Sequence, residues 1–69
     1  MLSAEQFIRV SRGLKEAYAA LGAADLPDAQ RERWQRRLMA ITDTATRDLS
    51  GAEIQLQQFL ADWARVTGR

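Results

Sequence analysis

Three helix-start signals, each set just ahead of an amphipathic stretch, divide this chain: Ser3-Ala4-Glu5-Gln6, Asp25-Leu26-Pro27-Asp28 and Ser50-Gly51-Ala52-Glu53. In the first and third, the Ser hydroxyl is placed to accept from the amide three residues on, while Gln6 or Glu53 reaches back to the Ser amide. Donors that a helix start leaves orphaned are thereby satisfied. The middle signal uses Asp25 as cap and puts Pro27 in the first turn, where a missing N–H costs nothing. Gly22 is positioned to stop the first helix in a left-handed C-cap, and the Asp48-Leu49-Ser50 corner separates the second helix from the third. Connections this short make consecutive helices antiparallel neighbours.

Each segment carries an apolar stripe at the helical period. At about 100° per residue, Phe7, Val10, Leu14, Ala17, Tyr18 and Leu21 share one face of the first helix. Trp34, Leu38, Ile41, Ala45 and Leu49 align on the second, and Ala52, Leu56, Phe59, Leu60, Trp63 and Val66 on the third. At this spacing the aromatic residues Phe7, Tyr18, Trp34, Phe59 and Trp63 are expected in the core, with the polar tips of Tyr18 and both Trp at its edges, rather than stacked on bases.

The weakest helical stretch is Thr42-Asp43-Thr44-Ala45-Thr46, because Thr and Asp lose side-chain freedom or compete for backbone hydrogen bonds inside a helix. Ala45 and Leu49 nevertheless extend the stripe in phase, and Asp43 precedes Arg47 by four residues in the favourable order. Continuity is therefore expected. Gly13, beside Ala17 and Ala20 on the edge of the first helix, either makes room for another backbone or is a tolerated weakness of about 1 kcal/mol relative to Ala. The predicted fold is all-α: an antiparallel up-down three-helix bundle, one domain over residues 1 to 69, with helices at 3 to 21, 26 to 48 and 51 to 66.

Sixty-nine residues lie near the lower size at which one core supports itself. With neither Cys nor His, disulfides and the usual soft or imidazole metal ligands are ruled out as help. Self-association, a homodimer above all, is the expected substitute. The segment Met1-Leu2-Ser3-Ala4-Glu5-Gln6 is not a basic run followed by an apolar one, and no stretch approaches the ~18 apolar residues of a membrane span. The expectation is a cytoplasmic protein without a membrane partner.

The same absences bear on chemistry. Losing His and Cys removes the commonest general base, the commonest metal ligand and the thiolate nucleophile together. None of the nine acidic residues falls inside a core stripe, where desolvation would raise its pKa. Glu32 is placed to pair with Arg36 and Asp43 with Arg47, whereas Lys15 sits among polar neighbours, and Ser11 has no base in local reach. No enzyme activity, metal, cofactor or small-molecule substrate is expected.

Net charge is +1, spread almost evenly apart from Arg31-Glu32-Arg33-Trp34-Gln35-Arg36-Arg37. Arg33, Arg36, Arg37 and Arg47 project to one lateral face of the second helix, and Arg31 leans toward the core edge. Three aliphatic residues fall off the stripes: Ile8, Met39 and Ile54, one per helix. The four Arg as a charged rim and these three as apolar anchors are the candidate partner-binding residues of a non-catalytic protein–protein interaction or regulatory module. The alternative is a nucleic-acid-binding protein that follows a phosphate backbone with the Arg face. Against it stands a sequence pI of about 8.3, where such domains usually exceed ~9.

Overall fold

The computed structural model describes residues 4–67. These form three helices, α1 (Ala4–Ala23), α2 (Asp28–Ala45) and α3 (Leu49–Val66). Each helix packs against both others in an antiparallel up-down three-helix bundle measuring 40 × 22 × 16 Å.

The core is the intersection of the three stripes: Val10, Ala17 and Leu21 from α1, Leu38 and Ile41 from α2, and Leu49, Ala52, Leu56 and Phe59 from α3. Leu14, Leu26, Trp34, Ala45 and Trp63 pack half-buried around it. Four residues expected inside lie outside. Phe7 is 61% and Tyr18 41% exposed, and Leu60 and Val66 are exposed as well. Phe7 and Tyr18 sit about 60° and 80° around α1 from Val10, and Leu60 about 80° around α3 from Ala52, at the margin of the stripe. Three thin helices close over the stripe centres but not over its edges.

Helix ends differ from expectation for local reasons. Ser3 lies outside the described residues. α2 begins after Pro27, whose φ of −58° and ψ of 148° make it the N-cap, with no side chain capping the helix. The residue before proline is driven to extended backbone, so Leu26 cannot be helical and Asp25 is too far away to cap. Pro27 still contributes its carbonyl, which accepts from Arg31 N–H at 3.0 Å. Gly22 does not end α1 either, because the helix runs on through Ala23.

α2 stops at Ala45, three residues short of the expected end. Thr42 and Thr44 hydroxyls donate to the carbonyls of Leu38 and Ala40, which tolerates them in the last turns, while Thr46 closes the helix as C-cap. Asp48 then turns extended, at φ −148° and ψ 92°, and its carboxylate accepts from Gly51 N–H at 3.0 Å. Asp48, rather than Ser50, caps α3. Leu49 is buried as foreseen, but as the first residue of α3 and not in the corner after α2.

Two glycines have opposite surroundings. A Cβ at Gly13 would lie 2.5 Å from Leu56 Cδ2, a buried core atom, so the close approach made there is by a side chain of α3. A Cβ at Gly22 would meet nothing. Gly22→Ala should therefore stabilise the protein by about 0.5–1 kcal/mol through helix propensity. At Gly13→Ala the same gain is opposed by an overpacking cost of about 1–3 kcal/mol, and net destabilisation is expected. Urea unfolding of both variants measures the two signs. By the same assay Asp48→Ala should cost about 0.5–2 kcal/mol, the worth of an N-cap.

Candidate functional site

The arginine face is largely neutralised within the chain. Arg36 pairs with Glu32 at 3.1 Å and Arg47 with Asp43 at 2.9 Å, the two pairs expected from spacing. Both are well exposed, and such pairs contribute little to stability, but they halve the free positive charge of the face. Arg47 also lies past the end of α2, in the turn where its N–H donates to Thr44 O, so it is not in phase with the helical row. Arg33 has no ion-pair or hydrogen-bond partner among the described residues.

Arg37 lies half-buried along the seam between α2 and α3. Its Nη2 donates to Asp62 Oδ2 at 2.7 Å, and its guanidinium carbon lies 5.6 Å from the ring centroids of both Trp34 and Phe59. Those rings belong to a cluster. Trp34 stands edge-on to Phe59 at 5.1 Å and to Trp63 at 5.2 Å, while Phe59 and Trp63 lie nearly parallel at 6.2 Å. A cation over the negative faces of such rings, anchored by a carboxylate, is a structural clasp. Asp62 accepts from Arg65 too, so one carboxylate holds two guanidiniums. Arg31, which spacing placed at the core edge, donates to the carbonyls of Leu21 and Ala24, at 2.8 Å for the latter, and so satisfies acceptors at the end of α1.

A second polar seam joins α1 to α3. Gln6 Nε2 donates to Ser50 Oγ and to Glu53 Oε1, and Arg9 Nε donates to Glu53 Oε2, all at 3.1 Å. Ser50 and Glu53 were expected to cap α3. With Asp48 occupying that role, they serve the helix–helix contact instead, which spacing along one helix does not reveal.

The three off-stripe aliphatics are all exposed: Ile8 49%, Met39 63% and Ile54 58%. Ile8 lies about 160° around α1 from Val10, and Ile54 about 160° around α3 from Ala52, so each faces outward from its own helix. Met39 is about 100° from Leu38. It lies on the side of α2 away from Arg37, which marks the α3 edge, and hence toward α1. Ile8, Met39 and Ile54 are therefore exposed on three different helices, with Ile8 and Ile54 both pointing away from the core. Sequence reasoning missed Phe7 and Tyr18, which join the exposed apolar set on α1.

A half-open groove of about 240 Å³, lined by Arg37, Ala40, Ile41, Gln55 and Gln58, is smaller than the ~300 Å³ where small-molecule sites begin. Among the described residues no group of three or more Asp or Glu is placed to hold a metal ion, and no helix is long and apolar enough to cross a membrane.

Two carboxyls are shifted. Hydrogen bonds from Gln6, then from Arg9, hold Glu53 below its ordinary pKa of 4.5. The hydrogen bond from Arg37 does the same to Asp62, below 3.8. The folded state therefore binds fewer protons than the unfolded chain in this range. The resulting stabilisation is complete above the ordinary values and disappears as pH falls through the depressed ones. Urea midpoints should be flat from pH 7 to about 5 and drop below pH 4.5, and Glu53→Gln with Asp62→Asn should flatten that drop. An undiminished acid dependence in the double variant would refute the assignment. Comparison with protein-family models, with curated proteins and with solved structures finds no match.

Proposed function

We propose that this chain is a non-catalytic protein–protein interaction module of a regulatory or adaptor kind, working in the cytoplasm by docking a helix face and associating with itself. One observation carries the reading: Phe7, Ile8 and Tyr18, three large apolar side chains on one helix, stand exposed, with Met39 on the adjoining helix. Monomeric proteins expose single apolar residues freely, whereas several together mark contact surfaces. The small size of the domain adds a reason for a partner, since little apolar area is available to a core of this length.

The arginine face supports nucleic-acid binding less well. Each neutralised phosphate adds affinity only through a cation that is free to meet it, and Arg36, Arg37 and Arg47 already hold carboxylates of their own chain. Net charge of +1 offers little long-range attraction.

Light scattering across a concentration series tests the reading directly. The mass is expected to rise from 7.8 kDa toward twice that value as concentration increases, and a mass constant at 7.8 kDa would remove self-association. Labelled duplex DNA is expected not to bind at moderate salt. Binding that weakens steeply with salt and disappears on Arg33→Glu with Arg36→Glu would replace this reading with the nucleic-acid one.

A further inference from the structure

Deepening that reading, and resting on it, we infer that the occupant of the exposed apolar face is a second copy of this chain, bound α1 to α1 in antiparallel orientation. α1 carries two faces. Gln6, Arg9 and Gly13 turn one edge toward α3, and Val10, Ala17 and Leu21 fill the core. Roughly opposite the α3 edge, Ala4, Ile8, Ser11, Lys15, Tyr18 and Gly22 fall within about 80° of one another around the helix. All six are exposed.

Their spacing alternates four and three residues, the rhythm of a helix-packing seam. Their order is the stronger observation, because it reads small, large, polar, polar, large, small. Such a palindrome pairs like with like when two copies run antiparallel about a two-fold axis level with Gly13. Ala4 then meets Gly22 of the second copy, Ile8 meets Tyr18, and Ser11 meets Lys15. A two-fold contact uses the same patch on both partners, and a parallel pairing would set Lys15 against Lys15, which the antiparallel one avoids. The central Ser11–Lys15 layers leave the ammonium beside a hydroxyl rather than beside another ammonium, and a polar layer in an apolar seam sets register.

Charge supports the same arrangement. Arg12 and Glu16 flank the seam on its α3 side, and neither has an ion-pair partner among the described residues. In the antiparallel register Arg12 comes within about 3 Å, along the axis, of the level of Glu16 in the second copy, twice by symmetry. On the other flank, Phe7 continues the apolar surface. Arg31 stands level with Leu21 and Ala24, so Met39, about 12 Å further along α2, reaches the level of the middle of α1, which is that of the two-fold axis.

Light scattering with two variants, followed by cross-linking, tests the assignment. Ile8→Glu should weaken dimerisation at least tenfold, because two glutamates enter an apolar seam, whereas Ile54→Glu on the far face should leave the mass–concentration curve unchanged. Circular dichroism establishes that both fold. The chain has no Cys, so single cysteines report orientation cleanly. Ala4→Cys and Gly22→Cys chains should cross-link with each other when mixed and oxidised, and neither should cross-link alone, since like positions are about 27 Å apart along the axis. Dimers that survive Ile8→Glu, or Ala4→Cys chains that cross-link alone, would overturn this surface while leaving self-association standing. A wild-type mass constant at 7.8 kDa would overturn both.

Discussion

The seam between α2 and α3 is the contact on which the rest of the bundle depends. Phe59 is fully buried, Trp34 meets it and Trp63 edge-on, and Arg37 covers the cluster while Asp62 holds the guanidinium in place. Aromatic side chains bury more area per residue than any others, and three of them meet in this one seam. α1 closes the third side with smaller residues, Val10, Ala17 and Leu21, and relies on Gly13 to let Leu56 approach. The heavy aromatic seam and the light third helix together explain why α1 has side chains left over. Its inner face is narrow, and bulky Phe7 and Tyr18 have no place in it.

The same packing decides what the charged residues do. An arginine row on a long helix reads in sequence as one surface, yet in the bundle each member answers to its own neighbourhood. Arg37 is drawn to Asp62 and the rings, Arg31 to the end of α1, Arg36 and Arg47 to carboxylates one turn away. What remains of the cationic face is Arg33. α1 in turn leaves Phe7, Ile8 and Tyr18 exposed, and the proposed protein contact rests on them.

Much of the architecture was legible beforehand. The number of helices, their order and the stripe centres follow from 3.6-residue periodicity, and the pairs Glu32–Arg36 and Asp43–Arg47 follow from i,i+4 spacing. The candidate site was legible only in part. Ile8, Met39 and Ile54 fell outside their stripes and are exposed, but Phe7 and Tyr18 were assigned inward because a projection cannot say how wide a face its neighbours will cover. The cap of α3 was misplaced by two residues, since Asp48–Gly51 and Ser50–Glu53 are competing signals and only the path of the turn chooses between them.

By itself, then, the sequence determined three helices and the residues at the centre of their common core, because periodicity and capping are local and each helix expresses them alone. The tertiary structure decided which edge residues stay dry, which carboxylates Arg9 and Arg37 meet, and that Leu49 starts α3 rather than extending the α2 stripe. Those outcomes depend on distances between segments remote in the chain. Gln6 finds Glu53 and Arg37 finds Asp62 only after the helices have packed, and no spacing within one helix encodes such a meeting.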